Sequence, residues 1–167
     1  MRVAVVGLGG VGGYIAANFA RAGIDVVGFA RGEHLKAVRV HGLEIVEDNS
    51  CWSQKIDARE ESELDGYFEG AFNLVLFCVK SYDLESSYRA LCSHIDENTV
   101  VISFSNGVDN GDTLRELGAK RVLDGCVYIL SHIESAGKIR KKGEVFAAIF
   151  GGESDGVCAL SELFTQA

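Results

Sequence analysis

Proline is absent from all 167 residues, which removes the commonest mark of a linker, so any domain boundary has to be read from pattern. Long apolar runs are missing as well. None approaches the roughly 20 residues that a membrane span needs. Nor is there an excess of basic residues: the formal net charge is −8, which argues against nucleic acid as a partner for the surface as a whole. The cysteines Cys51, Cys78, Cys92, Cys126 and Cys158 are odd in number and form no C-x-x-C pair. That argues against a disulfide framework or a zinc site. Cys78 and Cys126 fall inside apolar runs, where a thiol packs as a small hydrophobe. His34, His41, His94 and His132 show no metal-ligand spacing and read as structural or exposed, so no metal is expected. Met1 leads straight into a strand with no signal peptide before it, which predicts a cytoplasmic protein.

Glycine, by contrast, is plentiful, and three of the 20 glycines organise the chain. Val3 to Val6 read as a buried strand, Gly7, Gly9 and Gly12 make G-x-G-x-x-G, and Tyr14 to Ala22 carry a helical apolar pattern. Strand, glycine turn and helix in that order are the context of a dinucleotide fingerprint. Gly7 allows the tight turn, Gly9 lets a pyrophosphate approach the backbone, and Gly12 lets the helix pack on the strand. The phosphates would sit on free N–H groups at the positive end of that helix.

A chain of this length, 47% hydrophobic and 24% charged, has the makings of one soluble domain with a sizeable core. The order of elements predicts an α/β fold. Arg2–Val6 and Ile24–Ala30 form a βαβ unit around a helix that places Val11, Ile15, Phe19 and Ala22 on one face and ends at Gly23. A short helix over Arg31–Val40 follows, then a hairpin of Leu43–Val46 and Cys51–Ile56 on the sheet edge. Arg59–Glu69 reads as a polar, solvated connection. Phe72–Val79 and Thr99–Phe104 are continuous apolar runs of the kind buried on both faces of a parallel sheet. Helices lie between and after them, at Leu84–Ile95 and Asp109–Leu117. A strand begins at Arg121–Ile129, and Ile133–Arg140 and Glu144–Phe150 read as an antiparallel hairpin turning at Lys141-Lys142-Gly143. A helix at Val157–Phe164 ends the pattern.

Cofactor choice rests on the end of the second strand, where an NAD-binding unit places an acid for the ribose 2′-OH. Here that position is Ala30, and Arg31 follows. A guanidinium binds a 2′-phosphate bidentately where a carboxylate would repel it, so Arg31 favours NADP over NAD. Glu33 is the other candidate acid, and it fits the first turn of a helix better. Two more strand ends face the same way: Cys78-Val79-Lys80-Ser81-Tyr82, with Lys80 placed for phosphate or a ribose hydroxyl, and Phe104-Ser105-Asn106-Gly107-Val108, with the Asn106 amide placed for a ligand carbonyl or hydroxyl.

Together these residues resemble the N-terminal half of a ketopantoate reductase (2-dehydropantoate 2-reductase). The resemblance rests on Gly7-Leu8-Gly9-Gly10-Val11-Gly12, Arg31, Val79-Lys80-Ser81-Tyr82-Asp83 and Ser105-Asn106-Gly107-Val108. It continues through Gly125-Cys126-Val127-Tyr128, Gly137-Lys138-Ile139 and Ile149-Phe150-Gly151, and so covers essentially the whole chain. It implies a Rossmann-type doubly wound, mostly parallel sheet with an antiparallel tail, a single NADP(H)-binding domain over 1–167. Gly7, Leu8, Gly9, Gly10, Val11 and Gly12 would cradle the pyrophosphate, and Arg31 and Lys80 would hold the adenosine 2′-phosphate end. Asn106 would lie where nicotinamide and substrate meet, with Leu130 and Ser131 lining the nicotinamide end. The implied reaction is NADPH-dependent reduction of a 2-keto acid, ketopantoate to pantoate, in pantothenate and coenzyme A biosynthesis.

The family's proton donor is a lysine in a C-terminal helical domain, and no segment here matches that domain. Lys138, Lys141 and Lys142 lie on the hairpin. The expectation is a truncated piece with no catalytic residue of its own, which binds NADP(H) without turnover. Apolar surface meant for the absent domain is expected around Leu160, Leu163 and Phe164, a patch that favours homo-oligomers. A free-standing dinucleotide-sensing module and a related hydroxy-acid dehydrogenase with another substrate are the alternatives.

Overall fold

The structure is a computed structural model that describes residues 1–64, 66 and 69–167. In chain order the elements are β1 (Arg2–Val6), α1 (Gly10–Arg21), β2 (Asp25–Phe29), α2 (Gly32–His41), β3 (Leu43–Val46), β4 (Cys51–Gln54), β5 (Asp57–Arg59), β6 (Leu74–Phe77), α3 (Leu84–Leu91), β7 (Val100–Ser103), α4 (Asn110–Glu116), β8 (Arg121–Ser135), β9 (Lys138–Gly151) and α5 (Ser154–Gln166). The described strands form one sheet in the order β4-β3-β9-β8-β7-β6-β1-β2-β5. The stretch from β5 to β7 is parallel throughout, and the first residues of β8 pair parallel with β7. Beyond Leu123, β8 leaves β7 and runs antiparallel to β9, so the expected antiparallel tail is present.

The alternation within β1 accounts for the layers. Val3 and Val5 belong to one core and Ala4 and Val6 to the other, and all four are fully buried. A strand buried on both faces has no polar face to show, which is why these runs read as continuous. On the first face lie Ile15 and Phe19 of α1, Leu35 and Val38 of α2, and Leu160 and Leu163 of α5. On the second lie Leu84, Tyr88 and Leu91 of α3 and Leu114 of α4. The chain moves outward from β1 to β2 and β5, then returns to the other side of β1 as β6. The crevice for a ligand opens at the carboxyl ends of the strands where that direction reverses.

Four expectations are corrected. The tail hairpin does not turn at Lys141-Lys142-Gly143. Ser135 pairs with Lys138, so the turn is Ala136-Gly137, with Gly137 at φ +77°. Gly143, at φ +67°, instead sits in a bulge: Ile129 pairs with Phe146 and Leu130 with Lys142, leaving 143–145 unpaired. Two glycines in the left-handed region are available for the turn, and the 136–137 site places Lys138–Arg140 parallel to β3, with Ile139 beside Ile45 and fully buried. The Gly137 N–H donates to His34 Nδ1 (3.1 Å), and its carbonyl accepts from the Glu44 N–H (2.9 Å).

Secondly, the apolar residues of α5 are not a surface patch. Leu160 and Leu163 are buried, and the Phe164 ring packs against Phe19, Phe104, Phe146 and Phe150 at centroid distances of 5.1 to 6.2 Å. The helix folds back on α1 and the hairpin, where burial of that stripe is more favourable than exposure. Exposed large apolar side chains occur instead on the hairpin, at Tyr128, Leu130, Ile133, Val145 and Ile149. Thirdly, Cys126 is exposed, whereas Cys78 is partly buried and burial pushes its thiol up to about 12. Finally, the connection after the β3–β4 hairpin is not wholly solvated. Asp57–Arg59 adds β5 beside β2, and Leu64 is buried. Asp65, Tyr67 and Phe68 of that connection lie outside the described residues.

Two measurements test this packing. Leu160→Ala is expected to cost about 2–5 kcal/mol, the range for a leucine removed from a core. A urea midpoint that does not move would detach α5 from it. The second concerns His34, whose Nδ1 accepts from Gly137, so the proton resides on Nε2. Burial lowers its pKa, against a smaller opposing pull from the Leu8 backbone. A lowered histidine contributes stability that is complete above its ordinary value near 6.5 and is lost as pH falls through the folded value. The urea midpoint should therefore drop between about pH 7 and about pH 5, by less in His34→Gln than in the unaltered chain.

Candidate functional site

The glycine turn is assembled before any ligand is considered. Gly7, at φ +95°, lets the chain leave β1, and the N–H groups of Gly7 and Leu8 both donate to the Phe29 carbonyl at 3.0 Å. These two amides are thus spent on fastening the turn to β2, and the Leu8 side chain is buried against Gly28. Free donors begin further on. The first helical bond in α1 runs from the Gly13 N–H to the Gly9 carbonyl (2.8 Å). The amides of Gly10, Val11 and Gly12 precede it, where a helix leaves its N–H groups without intrahelical partners. Gly9 caps the helix with no side-chain bond, and the first turn carries no acid.

Each glycine meets a different neighbour. A Cβ on Gly9 would meet nothing within 4 Å, so this is the face a ligand can approach. A Cβ on Gly12 would overlap the Gly7 carbonyl oxygen and lie 2.8 Å from the Cys78 Cβ, so Gly12 serves helix–strand packing. Gly10 has a role that motif reading does not supply. Its Cβ would lie 2.5 Å from the Ser131 carbonyl oxygen, because the β8–β9 hairpin crosses directly over the turn.

Two cavities flank the turn and share Gly9, Val79 and Ile133 as a common wall. The smaller, about 170 Å³, lies toward β2 and is lined by Gly7, Leu8, Ala30, Arg31, His34 and Glu61 among others. The larger, about 560 Å³, lies toward β6 and β7 and holds Gly10, Val11, Lys80, Ser105, Asn106 and Ser131. The candidate residues therefore divide between them: Arg31 in the first, Lys80 and Asn106 in the second, with Gly12 packed beneath. Ala30 occupies the position where an acid would stand. Glu33 lies in the first turn of α2, pairs with Lys36 at 2.7 Å and does not line the smaller cavity. Arg31 is 3.5 Å from Asp83 with 72% of its side chain exposed. An ion pair that exposed holds its partners weakly.

The loop bearing Asn106 is held from both sides. The Ser105 hydroxyl donates to the Val79 carbonyl (2.7 Å), and the Asn110 amide donates to the carbonyls of Ser105 (2.9 Å) and Gly107 (3.1 Å). Asn106 itself is exposed at the cavity. Of the two hairpin residues expected at this end, Ser131 lines the cavity and Leu130 does not. Alternation along β8 accounts for most of the difference: Val127, Ile129, Ser131 and Ile133 line the cavity at every second residue, and His132 joins them out of that pattern. A strand that begins at Arg121–Ile129 and a separate one at Ile133–Arg140 do not reveal that wall, because β8 is continuous over Arg121–Ser135. His34 and Glu61 were missed for a related reason, since neither carries a motif and both are placed by tertiary neighbours.

Comparison with known proteins agrees with this fold. A 2-dehydropantoate 2-reductase of Archaeoglobus fulgidus is 31% identical over 160 residues, 93% of this chain and 48% of that protein. The corresponding enzyme of Mesorhizobium japonicum is 27% identical over 162 residues, 84% of this chain and 48% of that protein. The chain thus spans about half the length of the curated relatives it matches. Among solved structures, a PanE/ApbA family ketopantoate reductase from Ralstonia eutropha superposes with a TM-score of 0.87 at 31% identity, covering 99% of this chain and 54% of that one. A D-mandelate dehydrogenase solved with NADH and anilino(oxo)acetate has a TM-score of 0.87 at 19% identity, a likeness of fold alone, covering 99% of this chain and 54% of that one. The family model described as ketopantoate reductase PanE/ApbA matches residues 3–153, nearly the whole length, and the chain belongs to that family.

Proposed function

We propose that this chain is the NADP(H)-binding domain of an oxidoreductase that resembles 2-dehydropantoate 2-reductase and reduces a 2-keto acid, ketopantoate to pantoate. The observation that carries the reading is the pair of cavities joined across Gly9, with a cation on one side and a fixed amide loop on the other. The amides of Gly10, Val11 and Gly12 at the positive end of α1 favour a pyrophosphate there. Arg31 is the group for a 2′-phosphate, since only a weak contact with Asp83 has to yield. Lys80, next to the shared wall residue Val79, adds a second positive charge. NADPH, when bound, supplies hydride to the ketone carbon.

The remaining steps are derived from the chain's own groups. Val127, Ile129 and Ile133 give the reacting end of the larger cavity one apolar side. The Asn106 amide donates to the carbonyl or hydroxyl of the substrate. No group of this chain is assigned as the acid that protonates the alkoxide. Lys141 donates to the Gly143 carbonyl (2.7 Å), and Lys138 is paired with Glu44 at 2.9 Å, both on the hairpin. The 167-residue chain alone is therefore proposed to bind without turning over. Only Asn106 is assigned to the substrate, so a related hydroxy-acid dehydrogenase would use the same residues with another 2-keto acid.

Titration with NADPH and NADH, repeated on Arg31→Ala, tests the cofactor assignment. The unaltered chain should prefer NADPH, and the substitution should weaken NADPH on the order of 10-fold while leaving NADH nearly unchanged. Equal affinities at the start, or a preference that survives the substitution, would remove Arg31 from the role. Incubation of the same chain with NADPH and ketopantoate should give no loss of absorbance from reduced nicotinamide. Sustained ketopantoate-dependent oxidation would show that a proton donor lies within these residues.

A further inference from the structure

The smaller cavity contains a carboxylate that no step above uses. Glu61 begins the short 3-10 turn Glu61–Glu63 that follows β5. Phe29 and Arg59 are directly paired, and the Ala30 N–H donates to the Arg59 carbonyl (3.0 Å), so Glu61 stands level with Arg31 and one strand further out. One carboxylate oxygen accepts from the Ser87 hydroxyl on α3 at 2.8 Å. No hydrogen bond to the other is found among the described residues. The nearby guanidinium of Arg31 pairs with Asp83, and no described cation pairs with Glu61.

Resting on the dinucleotide reading above, the position selects one part of the ligand. With the pyrophosphate on α1, the sheet order β1, β2, β5 leads outward from phosphate to ribose to base. Adjacent strands are about 4.8 Å apart, so a group one strand beyond the ribose position is level with the base. The polar side chains lining this cavity are Arg31, His34 and Glu61. Arg31 can only donate. The acceptor nitrogen of His34 is already used by Gly137. Glu61 is thus the side-chain acceptor left for a donor on the base.

We propose that Glu61 accepts a hydrogen bond from the exocyclic amino group of adenine, and that it selects adenine dinucleotides over their 6-oxo counterparts. The contrast follows from elementary donor–acceptor chemistry. An ionised carboxylate only accepts, so it matches an amino group and opposes a carbonyl oxygen at the same ring position. A glutamine can do either. Glu61→Gln keeps an oxygen for the Ser87 hydroxyl and presents N–H to the base.

The test is a titration of the 167-residue chain with NADPH and with its hypoxanthine analogue, in which a carbonyl replaces the amino group, followed by nicotinamide fluorescence. The unaltered chain should bind the analogue on the order of 10-fold more weakly, the effect of one hydrogen bond to a charged group. In Glu61→Gln the ratio should fall to about one or invert. Equal affinity for the two ligands in the unaltered chain would overturn the assignment while leaving dinucleotide binding intact. So would a ratio that the substitution does not change. Failure of both ligands to bind would overturn the dinucleotide reading itself, and this inference with it. The comparison on the unaltered chain is decisive even where the variant does not fold.

Discussion

A side chain at position 12 would overlap the Gly7 carbonyl oxygen and press on the Cβ of Cys78, so α1 can sit where it does only because that position is bare. The rest of the structure depends on this close approach. It sets the helix low on the sheet, brings its N-terminus level with the carboxyl ends of β1 and β6, and leaves Gly9 facing open space. The same contact packs the helix against Cys78. Cys78 is partly buried beside the helix, where burial pushes its thiol up to about 12, and it also lines the larger cavity.

A second close approach gives the site its cover. The β8–β9 hairpin passes over the turn near enough that Gly10 has no room for a Cβ against the Ser131 carbonyl. The hairpin is held there at several points along its length. Gly137 is bonded to His34 and Glu44, Gly143 donates to Asp48 (2.9 Å), and Phe146 and Phe150 pack on Phe164. Helix α5, whose apolar side chains read as surface in the sequence, is one of these anchors. Ile133 reaches both cavities from this cover, so the alternation along β8 and the shape of the site are one fact.

The charges around the site are mixed. Arg31 stands among Asp83, Glu61 and Glu33; Glu33 is paired with Lys36, whereas Glu61 takes, among the described residues, only a neutral hydroxyl donor from Ser87 and keeps its charge. Under the proposed function, a phosphate at Arg31 would compete with Asp83 for the guanidinium and would lie in the same cavity as the Glu61 carboxylate. The net charge of −8 says little about this local balance, because charges more than about 10 Å apart are largely screened at ordinary salt.

Much of the fold was legible in the residues themselves. The continuous apolar runs at Val3–Val6, Phe72–Val79 and Thr99–Phe104 gave the central parallel strands, since a strand buried on both faces has no polar period to hide. The turn Gly7 to Gly12, Arg31 after the second strand and Asn106 after Phe104 were visible for the same local reason: each is a requirement on a few consecutive residues. What the sequence left open was decided between distant segments. Whether Gly137 or Gly143 makes the turn depends on the pairing of Lys138–Arg140 with β3, which is far away in the chain. Whether Leu160 and Leu163 face water depends on Phe19, Phe104 and the hairpin. Glu61 enters the site only because Asp57–Arg59 pairs with β2. Local pattern determined the glycine turn, Arg31 and the strand-end residues Lys80 and Asn106, and only tertiary packing added His34 and Glu61 to the cavities beside them, because burial and strand pairing join segments that no short-range period connects.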